Sequence, residues 1–141
     1  PGEVMVQTQY PDHPLYQCLA RHDFARYAAL QLEERKTACF PPFAANALLC
    51  ANAPELALAL DWLKQAREAA LPFAQAFGVQ VFDAVPMRMV RLARRERAQL
   101  LVEAPGRPAL QAFLTAWSRL LWALKPPREL RWHLDVDPAE V

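Results

Sequence analysis

Glu129-Leu130-Arg131-Trp132-His133-Leu134-Asp135-Val136-Asp137 is the stretch whose period decides the fold. Leu130, Trp132, Leu134 and Val136 fall on one side of an extended chain, and Glu129, Arg131, His133, Asp135 and Asp137 on the other. That is the two-residue period of a strand with one buried and one wet face. A strand of this kind needs an apolar partner layer, and the preceding segment supplies one. From about Arg107 to Leu124, the residues Leu110, Leu114, Trp117, Leu121 and Leu124 recur at helical spacing, and Pro126-Pro127 stops the helix. Upstream of the Pro105-Gly106 turn the pattern reads as a strand over 98–103, an Arg-rich connection over 85–97 and a short strand over 79–82 closed off by Gly78. Before these comes a long helix with Pro54 and Glu55 in its first turn and Leu56, Leu60, Leu63, Ala70, Phe73 and Phe77 on its inner face. Pro72 is expected to break or kink that helix near Leu71. The apolar run 43–51 gives the first strand, so the order is strand, helix, strand, strand, helix, strand. The fold class is α+β, a ferredoxin-like βαββαβ domain with two helices on one face of a four-stranded antiparallel sheet.

Residues 1–41 have a different character. Val4, Val6 and Thr8 alternate with Met5 and Gln7 as in a strand, and Pro11-Asp12-His13-Pro14 leads into two helical stretches that end at Pro41-Pro42. Asp23 is a helix cap, followed by Phe24, Tyr27, Ala28, Gln31, Leu32 and Arg35 at helical spacing. One strand cannot make a sheet alone, so Val4–Thr8 is expected to join a later sheet or a neighbouring domain.

Composition narrows the function. With 54% hydrophobic and 22% charged residues the chain of 141 is neither disordered nor membrane-spanning, since no run of 18 apolar residues occurs. Only Gly2, Gly78 and Gly106 are glycine, so no phosphate-cradling Gly-rich loop can be written. The opening on Pro1, without a basic and apolar leader, reads as an internal or C-terminal piece of a longer protein. Cys18, Cys39 and Cys50 form neither a CxxC pair nor a disulfide framework, which fits a reducing cytoplasm.

Net charge is +1, yet between Arg88 and Arg131 ten Lys/Arg face three acids. Such asymmetry points to an anionic partner. Arg88, Arg91, Arg94, Arg95 and Arg97 concentrate it, and guanidinium forks on one connection suit a nucleic-acid backbone. The alternative is a solvated stretch, or one paired with the acid-rich first half. Arg107 and Gln111 lie one turn apart at the positive end of a helix, where a carboxylate would bind, although the same pair can simply solvate a helix start. His133, Asp135 and Asp137 carry metal-binding atoms but read better as the wet side of a strand; no metal site and no catalytic residues are assigned. Of the four tryptophans, Trp62, Trp117 and Trp132 fall to core or rim and only Trp122 is available to a partner.

Pro1-Gly2-Glu3-Val4, Pro11-Asp12-His13-Pro14-Leu15, Asp23-Phe24, Arg97-Ala98-Gln99-Leu100-Leu101 and Arg131-Trp132-His133-Leu134-Asp135-Val136-Asp137-Pro138, in this order, resemble the C-terminal part of the PriA (primosomal protein N′) family of bacterial replication-restart helicases. The resemblance implies a parent ATP-dependent 3′–5′ DNA helicase that uses ATP with magnesium and carries zinc upstream of this segment; the chain itself has no motor motif and no cofactor. It implies that residues 1–41 are the strand and trailing helices of the second, RecA-like helicase lobe, and that 43–141 are the C-terminal domain, similar to a ribosomal small-subunit protein. The implied partners are forked and single-stranded DNA, other primosome proteins and the acidic tail of single-stranded DNA-binding protein. That tail is taken through an Arg and a Gln matching Arg107 and Gln111. The implied location is the cytoplasm, at the nucleoid. Two departures from the family pattern, Arg95-Glu96-Arg97 without an aromatic and Asp83-Ala84 in place of Gly-Pro, speak against base stacking at that loop. Rival readings are a free-standing ribosomal-type RNA-binding module and a ferredoxin-like dimer that senses a small molecule.

Overall fold

A computed structural model describes residues 2–139. Pro1, which opens the first motif of the resemblance, lies outside them, as do the last two positions of the expected domain. The chain divides into two compact units, Pro1–Cys39 and Phe40–Val141.

The first unit is a helical hairpin. Helix α1 (Pro14–Ala20) starts where the His13 ring nitrogen Nδ1 accepts the Leu15 N–H at 3.2 Å, and α2 (Phe24–Thr37) starts where Asp23 Oδ1 accepts the Arg26 N–H at 3.0 Å. Asp23 therefore caps as its sequence context indicates. Within the described residues Val4–Thr8 joins no sheet of this chain. The segment is irregular, with Val4 and Met5 about nine-tenths exposed, and no strand among the described residues pairs with it. An isolated strand leaves its backbone groups unpaired, and alternation of side chains does not offset that.

The second unit is a sheet covered on one face by two helices. Strands β1 (Ala45–Ala53), β2 (Gln80–Val81), β3 (Val85–Leu92), β4 (Arg95–Ala104) and β5 (Arg131–Val136) are all antiparallel, in the order β2-β4-β1-β5, with β3 also paired to β4. Helix α3 (Leu56–Ala74) follows β1 and α4 (Arg107–Ala123) follows β4. On β1, the helix-facing residues Ala45, Ala47, Leu49, Ala51 and Ala53 are sealed, as are Ala59, Ala66, Ala70 and Ala74 of α3. Alanine on both surfaces lets the helix lie close to the sheet, while Trp62, Leu63, Phe113 and Trp117 fill the volume that remains. Each such large side chain contributes about 1.5–3 kcal/mol through burial. The Trp117 indole N–H donates to the Ala66 carbonyl at 2.9 Å, which satisfies a buried donor and ties α4 to α3.

The break expected at Pro72 and the connection expected over 85–97 are corrected here. Helix α3 runs through Pro72 to Ala74, tightens into a 3-10 turn over Gln75–Phe77 and closes at Gly78, whose φ of 65° is left-handed. A mid-helix proline costs about 3 kcal/mol. Phe73 and Phe77, packed on Phe113 with ring centroids 5.4 and 6.2 Å away, hold the helix together across it. The second correction concerns the connection over 85–97, which is a β-hairpin. Strand β3 folds back on the start of β4 through Ala93 and Arg94, whose φ values of 50° and 63° make the two-residue turn that matches strand twist. The sheet therefore has five strands where the sequence indicated four.

Candidate nucleic-acid and peptide interface

The hairpin separates the five clustered arginines into two groups. Arg95 and Arg97 start β4 and are half-buried. Arg95 donates through Nε to Asn52 Oδ1 at 2.6 Å and through Nη2 to the Asn52 carbonyl at 2.8 Å and to the Glu129 carbonyl. It thereby joins the end of β1 to the entrance of β5. Arg97 turns Nε and Nη2 onto the Met89 carbonyl at 3.1 and 2.9 Å. That carbonyl lies in the stretch of β3 where the register with β4 shifts between Pro86 and Arg91. The fork satisfies an acceptor next to this irregularity in the ladder. Between them, Glu96 Oε2 accepts the Leu56 N–H at 2.8 Å and caps α3, whose N-cap residue Glu55 makes no side-chain cap bond. Arg88, Arg91 and Arg94 are exposed and make no hydrogen bond or ion pair among the described residues. All three lie on the outer strand of the sheet or at its hairpin tip, a short cationic edge.

The second location is the start of α4. Gly106 is the N-cap and offers no side chain, and Pro108 in the first turn has no N–H. Arg107 lines an open cleft of about 590 Å³ together with Pro41, Pro42, Ala44, Ala45, Gly106, Asp137 and Pro138. Its Nη2 lies 2.9 Å from Asp137 Oδ2, with 78% of the arginine side chain in water. Gln111 is exposed one turn on, its backbone carbonyl accepting the Thr115 hydroxyl at 2.8 Å. The mostly apolar wall suits an apolar side chain, and Arg107 at its side suits a carboxylate. Asp137 is the residue that sequence reasoning placed elsewhere, beside His133 and Asp135. Past the end of β5 its φ is 55° and its N–H donates to the Asn46 carbonyl at 3.0 Å. Thirty positions separate it from Arg107, so no local spacing reveals the pair.

His133 and Asp135 do share the face of the sheet away from the helices, opposite Cys50 and Leu48 of β1. Burial first, and then the Asp135 carboxylate, push the Cys50 thiol above its ordinary pKa against the opposing pull of Arg97. Among the described residues no cluster of three or more His, Cys, Asp or Glu is placed to hold a metal ion. Also among them, no helix is long and apolar enough to cross a membrane.

A family model described as the primosomal protein N C-terminal domain matches residues 36–139. The chain belongs to that family. It is similar to the replication restart protein PriA of Haemophilus influenzae, 34% identical over 140 residues that make up 99% of this chain and 19% of the relative. The PriA proteins of Synechocystis and of Treponema pallidum are 32% and 28% identical, over 100% and 99% of this chain and 16% and 21% of their own lengths. The chain thus spans about a fifth of the curated relatives it matches. Among solved structures, one titled De novo designed protein Foldit4 has a TM-score of 0.45 at 5% identity, over 67% of this chain and 97% of its own. The family model covers the Asp-Val-Asp-Pro segment, and the relatives align over nearly the whole chain.

Proposed function

We propose that the chain is the non-catalytic C-terminal portion of a replication-restart DNA helicase, binding fork DNA through phosphates and the acidic tail of single-stranded DNA-binding protein through Arg107 and Gln111. The observation that carries the DNA reading is the cationic edge. Arg88, Arg91 and Arg94 are three guanidinium forks left free on one outer hairpin, and Arg95 and Arg97, half-buried with their forks on chain acceptors, complete the cluster of five. Arginines that touch only phosphates give affinity without base preference. The second contact is supported by the cleft at α4, where an apolar wall, an exposed fork and the helix's positive end meet.

In this reading residues 1–41 are the trailing end of a helicase lobe, and the ATPase, with its magnesium and zinc, belongs to the remainder of a cytoplasmic protein that works at the nucleoid with other primosome components. The sheet is read as the split βαβ arrangement with its second strand broken into β2 and β3. In its favour, β4 and β5 flank β1 and the two helices follow β1 and β4.

The test is a titration of the chain with duplex DNA over a range of salt. Replacing Arg88, Arg91 and Arg94 together by Ala should flatten the slope of log K against log salt by about 2 to 3, with unchanged sequence preference. A triple variant with the wild-type slope overturns the assignment.

A further inference from the structure

Trp122 is the one large ring of α4 that the core does not take. It is 71% exposed, whereas Phe113 and Trp117 of the same helix are sealed. The ring is nevertheless held. Its centroid lies 4.9 Å from that of Trp132 on β5, and Trp132 in turn stacks on buried Trp62 at 5.5 Å with an interplanar angle of 28°. Three indoles therefore form a ladder from the core to the surface, and the outermost presents its remaining face to solvent in a fixed place.

Charge around that ring has one sign. Arg119 precedes it by one helical turn, Lys125 follows by three residues and Arg128 by six, with no acid between Arg119 and Arg128. All three cations are exposed and make no ion pair among the described residues. The negative end of α4 accounts for a cation at Lys125, but not for Arg119 a turn earlier. Protein interface cores exclude lysine, while a rigid aromatic set among free cations is what single-stranded nucleic acid recognition uses.

We propose that Trp122 is a stacking platform for one base of a single-stranded nucleic acid, with Arg119, Lys125 and Arg128 steering the flanking phosphates. This platform lies along β5, the opposite edge of the strand order from β3, which carries Arg88 and Arg91. The proposal rests on the nucleic-acid reading above but assigns a different strand form to a different edge.

The experiment uses the whole chain with a dye-labelled oligothymidylate of about ten nucleotides and a dye-labelled hairpin duplex as probes; probe anisotropy reads affinity and indole emission reads the ring. Trp62 and Trp117 are buried, so quenching on binding reports the exposed end of the ladder. Oligothymidylate should quench the wild type, and Trp122→Ala should lose affinity for it by about 5- to 150-fold, the equivalent of stacking one base. Its salt slope and its duplex affinity should stay at wild-type values. Trp122→Phe, which keeps a ring on Trp132, should retain affinity within a few-fold, and the Arg88/Arg91/Arg94 triple variant should keep the quench at saturation. Wild-type affinity of Trp122→Ala for the single strand overturns the platform alone, as do equal losses on single strand and duplex. Concentration-dependent self-association that Trp122→Ala abolishes, without quenching by the oligonucleotide, reassigns the ring to a protein contact. Failure of every variant and of the wild type to bind either probe overturns both this proposal and the phosphate reading.

Discussion

Arg94 and Arg95 are adjacent in the chain, yet one ends a hairpin turn with its fork in water and the other holds three backbone or side-chain acceptors. The same division runs through the whole cluster, with Arg88 and Arg91 on the free side and Arg97 on the bound side. The difference lies in what the backbone nearby leaves unpaired. Where a strand ends or slips register, carbonyl oxygens lack ladder partners, and an arginine within reach is drawn in to satisfy them. Where the outer strand faces solvent, water does this and the guanidinium stays available. A run of like charges is therefore two populations, one held by the fold and one left free in water.

The comparison breaks most readily at Arg95. Arg95→Ala removes a charged donor from acceptors on β1 and before β5, which should lower unfolding free energy by about 2–3 kcal/mol. Arg94→Ala, touching nothing, should stay within about 0.5 kcal/mol of wild type. Urea midpoints of the two variants decide the point, and equal shifts would show that the bonds of Arg95 are ornamental.

What could be read beforehand follows the same physics. Strand β5 and the inner face of α4 were legible because burial on one side imposes a period, and Leu110, Leu114, Trp117 and Leu121 are indeed buried. The cap at Asp23 was legible because capping is local. Strand β3 was not, because it lies at an edge with both sides largely exposed, and its sequence Val-Pro-Met-Arg-Met-Val-Arg-Leu carries no alternation to read. The inner face of α3 was misread in part: Ala59, Trp62 and Ala66 are sealed while Leu56 and Leu60 sit at the margin, since a helix against an alanine-rich strand turns its smallest residues inward. For the site, residue types were visible but partners were not. Nothing in the chain's order joins Arg95 to Asn52, Glu96 to Leu56 or Arg107 to Asp137, because each bond spans thirty residues or more.

Arg107 tests whether a fork already paired can belong to the free population. Its partner Asp137 is itself partly exposed, so the pair is worth at most about 1 kcal/mol and can be exchanged. A synthetic acidic peptide ending in an apolar residue and its carboxylate should bind the cleft, and Arg107→Ala should weaken it by about 1.5 kcal/mol, the low end for a charged hydrogen bond because most of the side chain is in water. Asp137→Asn frees the fork and should tighten the same peptide by up to about 1 kcal/mol. Arg128→Ala, exposed and far along the chain from the cleft, should change little. Calorimetric titration separates these cases: equal losses at Arg107 and Arg128 reduce the site to general charge attraction, and a weakened Asp137→Asn makes the aspartate part of the site.

The smallest effect sharpens the comparison from the bound side. Arg97, held on Met89, shares the open sheet face with Cys50 and is the only influence that draws its thiol pKa down, against burial and Asp135. The net shift is upward, so the folded chain holds the Cys50 proton more tightly than the unfolded chain does. The stability this gives is fully present below the ordinary thiol range, near pH 8.5, and is lost as pH rises through the raised value, because the unfolded state releases its proton first. Cys50→Ala should therefore flatten the alkaline fall in stability without changing it in the neutral range, apart from a constant offset for lost packing. Arg97→Met removes the opposing cation while keeping an unbranched side chain, so it should steepen that alkaline fall. Thiol labelling of the native chain supplies the control, since exposed Cys39 should react at neutral pH while buried Cys50 does not. If Arg97→Met leaves the alkaline slope where it was, the arginine acts on this face through its hydrogen bonds alone and its charge is idle.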